Sequence, residues 1–362
     1  MSTKKVLEVV ERLDGGVYTH VKTLINAISP SCSMRADLFV GPLGKLSGIQ
    51  AHMIQSKYFD RTKGPNLFRT VFELHAQIRL HNYLIVHAHS TFSGLVVRIY
   101  QLLFDRTHQR KYVYTPHAFF SEKPMGRVKF RVVQYIERWM LRGFDTVIHV
   151  SSEEAEFSEN YRLVRQDKIR IVPNGLPDII PNLSFKDNNL IVMVGRVDKQ
   201  KNPERFIAIA NSVHAIIPSI KFLYIGGGEL LPKLQDECSK LSFVDFVGPQ
   251  DGVQAFLEKA SLFMSTSLYE GLPFAVIEAM RSGLPVALSK VTGHAELVDG
   301  NGILFKLSDS DQKIADRIAN LMNDSENLQL IGEKSRDLFL KKYTSSIMVG
   351  KILDIYRILL MW

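Results

Sequence analysis

Hydrophobic positions along the chain alternate between two rhythms: short, nearly continuous apolar runs, and longer stretches in which apolar residues recur every three or four positions. The first marks strands buried on both faces, the second helices with one face on a core. In the N-terminal half the runs at 5–10, 36–40, 83–87, 112–115, 145–150 and 169–172 predict strands separated by helix-length segments. The first such segment, 17–28, follows a turn at Gly15 and Gly16 and carries Val17, Val21, Leu24, Ile25 and Ile28 on one face. From 173 to 189 three prolines and a cluster of Asn and Asp show neither period, which predicts a linker over 176–189. The rhythm then restarts, with strands at 190–194, 221–225, 243–247, 262–265 and 286–289. The tail, 345–362, is a helix with Met348, Ile352, Ile355 and Leu359 in phase. This βαβ alternation predicts two α/β domains with parallel sheets, 1–175 and 190–344, facing a cleft that would bind the ligand.

Composition narrows the function classes. At 362 residues, 46% hydrophobic and 23% charged, the chain is globular, neither disordered nor membrane-embedded. It has no apolar run of about 18 residues. Its N-terminus lacks the layout of a signal peptide, so the expected location is the cytoplasm. Cys32 and Cys238 stand far apart without Cys/His clustering, which argues against a disulfide framework or structural zinc.

The net charge of +8 is unevenly placed. Residues 1–178 hold 25 Lys/Arg against 16 Asp/Glu, and 43–142 alone hold 16 against 5, so an anionic partner is expected on that half. On a helical wheel of 123–142, Arg127, Arg131, Arg138 and Arg142 fall within about 60° of one another. Val128, Val132, Val133, Ile136, Trp139 and Met140 gather opposite, with Lys129 intruding. A surface helix with its apolar face on the core and an interfacial helix pressing cations onto anionic lipid both fit that pattern. No helix-turn-helix, zinc-finger or aromatic RNA-binding pattern supports nucleic acid as the partner.

Three C-terminal motifs follow strands. In 265–278, STSLYEGLPFAVIE, a loop with Glu270 and Gly271 leads through Pro273 into a helix; free amides there suit phosphate, while Glu270 and Glu278 can accept from sugar or ribose hydroxyls. In VGRVDKQKN, Arg196 and Lys201 share a loop at a strand's C-terminal end and could clamp a diphosphate. IGGGE, 225–229, is either a close approach for a ligand or a plain turn. In the N-terminal half His87 and His89 form a His-x-His and His117 follows Pro116. Spacing supplies no third metal ligand, so hydrogen bonding to a sugar is the better reading. Asp309-Ser310-Asp311, a DxD sequence, reads as a helix cap.

These motifs, with GGVYTH, HAHS, TPHAFF and IVPNG in the same order, resemble the retaining glycosyltransferases of family 4, which have the GT-B architecture. The resemblance spans nearly the whole chain, and its most specific mark is the glutamate pair Glu270 and Glu278. It implies two Rossmann-like domains, with the tail helix crossing back to the N-terminal one. Gly15 and Gly16 would lie beside the donor phosphates and acceptor, Arg196 and Lys201 on the diphosphate, and Glu278 on the ribose. Glu270 and the backbone of Gly271, Leu272, Pro273 and Phe274 would face sugar and phosphate, with His117 on the donor sugar. Pro273 departs from the glycine many relatives carry, leaving the sugar open. The implied reaction is metal-independent transfer of a hexosyl or N-acetylhexosaminyl group from a nucleotide sugar, UDP-linked in the commonest members. The implied acceptor is a polyprenyl-diphosphate-linked or other glycan at the inner face of the membrane, in surface polysaccharide synthesis. No carboxylate nucleophile is evident, which favours a front-face route in which the leaving phosphate takes the acceptor's proton. A sugar-nucleotide 2-epimerase of the same architecture and a non-catalytic basic binding protein are the alternatives.

Overall fold

The structure, a computed structural model, describes residues 4–28, 34–42, 48–62, 66–107, 109–182 and 189–361. Cys32 and residues 183–188 of the expected linker lie outside the described residues. The chain divides into two compact units, Met1–Gly175 with Ser345–Trp362, and Leu176–Thr344.

The first unit runs β1 (Lys4–Val10), α1 (Gly15–Ile28), β2 (Met34–Val40), β3 (Met53–Gln55), α2 (Leu67–His81), β4 (Ile85–His89), α3 (Ser90–Phe104), β5 (Lys111–Thr115), α4 (Arg127–Leu141), β6 (Thr146–His149), α5 (Ser152–Asn160) and β7 (Ile169–Ile171). Among the described residues these strands form one parallel sheet in the order β3-β2-β1-β4-β5-β6-β7. Alternate residues of β1 feed opposite layers, Leu7 and Val9 packing in one cluster and Val6 and Val10 in the other. The build direction reverses between β1 and β4, so their carboxyl ends form the switch point where such sheets place ligands.

The second unit runs β8 (Leu190–Val194), α6 (Pro203–Ile216), β9 (Lys221–Ile225), α7 (Leu231–Cys238), β10 (Val244–Gly248), α8 (Val253–Lys259), β11 (Leu262–Ser265), α9 (Phe274–Arg281), β12 (Val286–Ser289), β13 (Gly302–Phe305), α10 (Asp311–Met322) and α11 (Ser325–Lys342). Its sheet, also parallel, is ordered β10-β9-β8-β11-β12-β13, with the switch point between β8 and β11. The final helix, α12 (Ser345–Leu359), belongs to the first unit, where Met348, Ile352 and Tyr356 pack with Val6, Val21 and Leu24.

Several expectations change. Gly15 and Gly16 open α1 rather than precede it, Gly15 at φ +49°. The start of the expected linker packs onto the second unit: Leu176 N–H donates to the Tyr343 carbonyl (3.0 Å), Arg281 donates to the Pro177 carbonyl (3.2 Å), and Arg336 pairs with Asp178. Strands β3 and β13, each at an edge of its sheet, carry no apolar run long enough to be read from sequence.

The glycines of IGGGE serve backbone packing. A Cβ on Gly226 would lie 1.9 Å from the Gly195 carbonyl oxygen and one on Gly228 2.2 Å from that of Val197. This close contact lets the Val197 N–H donate to the Gly227 carbonyl (2.9 Å) and the Leu230 N–H to the Val197 carbonyl (3.0 Å), which shapes the Arg196 loop.

Candidate active site

In the second unit both cationic and acidic motifs emerge from the carboxyl ends of the switch-point strands β8 and β11. Lys201 Nζ lies 2.6 Å from Glu270 Oε1, with the two side chains 13% and 8% exposed. The loops holding them are stitched together: Thr266 Oγ1 donates to the carbonyls of Lys201 and Asn202 (both 3.0 Å), and Gln200 Nε2 to that of Tyr269 (3.0 Å). Asn202, in the left-handed region at φ 52°, turns the chain into α6. Burial would raise the Glu270 carboxyl, but the Lys201 ammonium beside it, and hydrogen bonds from Lys201 and Ser267, hold it below the usual range. Arg196 is exposed, its guanidinium on Gln200 (2.9 Å) and Asp198 (3.2 Å).

Pro273 is the N-cap of α9, so the first-turn amides of Phe274, Ala275 and Val276 have no helical acceptors. Gly293, at φ +77°, lies so close to Gly271 that a Cβ would sit 1.7 Å from its carbonyl oxygen. Leu272 is buried beside these residues, and Glu278, on the second turn, is raised by burial against the opposing pull of Arg281. The histidine after Gly293 escaped the sequence reading. His294 is buried, its Nδ1–H donates to the Ser289 carbonyl (2.8 Å), and its Nε2 is buried without a partner. Burial lowers it to about 4, so it is a neutral ring against Glu270. In the DxD sequence, Ser310 caps α10 by accepting from Lys313 N–H (3.3 Å), while Asp309 pairs with Lys313 and Asp311 with Arg205.

In the first unit, His87, His89 and His117 fall at the carboxyl ends of β4 and β5 and join a buried polar network. Glu8, fully buried in β1, accepts from His89 Nε2 (2.8 Å) and from the Tyr356 hydroxyl of α12 (2.9 Å). His87 bridges Tyr356 (2.6 Å) and Thr115 (2.8 Å), and His89 Nδ1 lies 3.0 Å from His117 Nε2. His20 of α1 bonds Asn174 (2.9 Å) and stands edge-on to His117. Glu8 is held well below the carboxylate range: burial opposes this, and the hydrogen bonds from His87, whose Nδ1 lies 3.2 Å away, and from His89 prevail. Burial drives His20 and His89 down to about 4 and His117 well below its usual value, so these three rings are neutral.

The ring nitrogens of His20, His89 and His117 lie within 4.8 Å of one another, as do ligand atoms of Glu8, His87 and His89. Either trio could reach an ion, but direct bonds from His89 to Glu8 and to His117 already use both its nitrogens.

His117 and Ala118 take positive φ, +58° and +111°, and the turn that follows is held by carboxylates. Glu154 accepts from Ala118 N–H (2.8 Å), Glu122 from Phe119 N–H (2.7 Å), and Glu137 from Phe120 N–H (2.8 Å) and the Ser121 hydroxyl (2.6 Å). Glu137 belongs to α4, which therefore turns Gln134, Glu137, Met140 and Leu141 inward. This corrects the wheel reading in which Val128, Val132 and Ile136 face the core: Val128 is 79% exposed, and Val132, Tyr135 and Ile136 are exposed with it. Arg127, Lys129 and Arg131 share that open surface. Arg138 instead donates to the carbonyls of Arg162 (3.0 Å) and Tyr161 (2.8 Å). With Arg142, Arg162, Arg165 and Lys168 it lines a basic cavity of about 670 Å³, assembled from segments too far apart along the chain for spacing to link them. No helix among the described residues is long and apolar enough to cross a membrane.

Comparison with known proteins agrees with this arrangement. Residues 14–178 match the model of Glycosyltransferase Family 4 and residues 178–338 that of Glycosyl transferases group 1, together covering most of the chain. The chain is 27% identical over 309 residues to an Escherichia coli UDP-Gal:α-D-GlcNAc-diphosphoundecaprenol α-1,3-galactosyltransferase, covering 80% of this chain and 79% of that one. It is 28% identical over 326 residues to the E. coli O-antigen biosynthesis glycosyltransferase WbnH, covering 86% and 88%. Sucrose-phosphate synthase of Thermosynechococcus elongatus superposes with a TM-score of 0.81 over 99% of this chain and 100% of its own, at 19% identity, a likeness of fold. With both family models matched in order and two doubly wound sheets of the GT-B kind, the chain belongs to glycosyltransferase family 4 and is a transferase of glycosyl groups.

Proposed function

We propose that this glycosyltransferase moves a hexosyl or N-acetylhexosaminyl group from a UDP-sugar to a saccharide carried on polyprenyl diphosphate, with retention and without a metal ion. The observation that carries the reading is the buried Lys201–Glu270 pair beside the open amides of α9. An ammonium has three donors and Glu270 takes one, which leaves two for phosphate oxygens. Departure of the nucleoside diphosphate concentrates negative charge on those oxygens; Lys201, Arg196 and the start of α9 stabilise it without reorganising. Glu278 accepts from the ribose hydroxyls, and Glu270, with lone pairs beyond those that Lys201 and Ser267 use, accepts from the sugar. Gly15 and Gly16, exposed at the start of α1, offer amides to phosphate or acceptor, and His117 takes a sugar hydroxyl. With no nucleophile assigned on the far face of the sugar, the leaving phosphate accepts the acceptor's proton on the front face. The lipid-linked acceptor is supported by the undecaprenol-linked substrate of the galactosyltransferase relative and by the exposed apolar and basic surface of α4, which suits the inner face of an anionic membrane.

A thermal-shift panel of UDP- and GDP-sugars, followed by turnover with polyprenyl-diphosphate-linked GlcNAc in EDTA, tests this. A UDP-sugar should raise the melting temperature of the wild type, and Glu278→Ala should abolish the rise. Stabilisation by GDP-sugars alone, or turnover that needs added Mn²⁺, would refute the assignment.

A further inference from the structure

The hydrogen-bond chain behind His117 has a direction. Ionised Glu8 can only accept, so the proton on the 2.8 Å contact with His89 Nε2 belongs to the imidazole. A neutral His89 is then bare at Nδ1, and its 3.0 Å contact with His117 Nε2 must be filled by a proton on His117. A neutral His117 with Nε2 protonated is bare at Nδ1. The other oxygen of Glu8 is committed as well, because Tyr356 donates to it at 2.9 Å while accepting from His87 at 2.6 Å. His87 Nδ1 also lies 3.2 Å from the oxygen that His89 uses, its proton lying toward Tyr356 and the carboxylate, so every polar contact of Glu8 points protons toward it and none can reverse without breaking another.

We propose that Glu8, acting through His89, fixes His117 as its Nε2–H tautomer, so that His117 presents a bare Nδ1 and recognises only a ligand hydroxyl that donates to it. Glu8 and His89 are positioning residues, and the ligand role of His117 rests on the sugar-facing reading proposed above. The arrangement fits the surroundings. His117 is partly exposed, whereas Glu8 and His89 are fully buried, so the chain runs from core to surface. The left-handed backbone at His117 and Ala118, tethered by Glu154, holds the ring at the end of that chain. For the substrate, the consequence is selection by hydrogen-bond polarity. A fluorine in place of the recognised hydroxyl accepts but cannot donate, so it fails as completely as hydrogen there.

Long-range ¹H–¹⁵N spectra of the imidazoles, assigned by loss of signals in His117→Gln and His89→Gln, read the tautomers directly at pH 7.5 and need no substrate. Wild type should show both rings as Nε2–H. Glu8→Gln keeps the shape but, with Tyr356 still donating to the amide oxygen, turns an NH₂ toward His89. His89 must then become Nδ1–H and His117 Nδ1–H, an inversion along the chain that loss of packing would not produce. Adding Tyr356→Phe frees the amide to turn its oxygen back and should restore the original tautomers. An Nδ1–H or doubly protonated His117 in wild type, or unchanged tautomers in Glu8→Gln, overturns the proposal, the wild-type spectrum deciding even if the variant is unstable. In turnover, Glu8→Gln should lower kcat/KM by about tenfold, the scale of one hydrogen bond. Inversion with unchanged turnover would leave the tautomer control standing and remove the sugar-facing role of His117.

Discussion

At the scale of single residues, the Lys201–Glu270 pair joins stability to catalysis. Both groups are nearly buried, and Glu270 stays ionised because Lys201 and the hydrogen bonds it receives outweigh its desolvation. The Lys201 stem also packs 3.1 Å from where a Gly195 Cβ would lie, so Lys201→Met, which keeps the stem, removes the charge with little loss of packing. Leaving one buried charge unpaired costs about 3–5 kcal/mol. Urea unfolding should therefore show Lys201→Met destabilised on that scale, and adding Glu270→Gln should recover more than half of it. Turnover should not follow: both variants should remain at least about 100-fold below wild type, because the donor to the leaving phosphate is gone. Recovery of turnover in the double variant would make Lys201 a purely structural partner of Glu270.

At the scale of elements, α4 separates what sequence periodicity can reveal from what it cannot. Strands β8, β9, β11 and β12 match the apolar runs residue for residue, because a strand covered on both faces needs an unbroken run. Edge strands lack that need: β3 is exposed at Met53, and β13 alternates half-buried and buried positions. The wheel of α4 has the right period, but of its two readings the one with the valines on the core fails, since the turn at 118–121 requires carboxylates and Glu137 outcompetes valines for the interior. The His network was half legible. His87, His89 and His117 stand out after strands, whereas Glu8, His20 and Tyr356 come from distant positions; a glutamate inside the apolar run of β1 was the one available signal. For α4 itself, Arg127→Gln with Arg131→Gln should weaken sedimentation with phosphatidylglycerol vesicles by about 30-fold at low salt, at about 1 kcal/mol per cation. Val128→Ser with Ile136→Ser should weaken it further, and donor-induced thermal shifts should persist in all of them. Arg138→Gln should instead lower the melting temperature, because its guanidinium ties down the Tyr161 and Arg162 carbonyls. Unchanged sedimentation of the first two variants would exclude α4 as the membrane contact.

At the scale of the whole molecule, keeping imidazoles dry makes the fold sensitive to acid. In the first unit His20, His89 and His149 are lowered to about 4, and His117 is lowered well below its free value too, chiefly by burial; in the second, His294 is lowered to about 4. A histidine whose folded value lies below its free value of 6.5 takes up its proton first in the unfolded chain. Its contribution is complete above about 6.5 and is lost as pH falls from there toward 4, at up to about 1.4 kcal/mol per pH unit for each excess proton. Glu8, depressed, adds a loss below its ordinary 4.5. Glu122 has the opposite sign: burial beside Glu154 and Glu137 raises it to about 9, so the folded state holds its proton and stability falls as pH rises from 4.5 toward 9. These histidines, with His75 lowered in the same sense, outweigh the raised glutamates Glu122, Glu137 and Glu11 below 6.5, and the glutamates act above it, which sets the maximum for the first unit near pH 6.5–7. Urea midpoints from pH 4.5 to 9 should therefore drop steeply on the acid side and gently on the alkaline side. His149→Phe, at a ring with neither nitrogen bonded, should flatten the acid limb by about one proton's slope. A stability profile flat from pH 6.5 to 4.5 would mean that these rings are not neutral in the folded protein, and the direction of the chain from Glu8 to His117 would lose its basis.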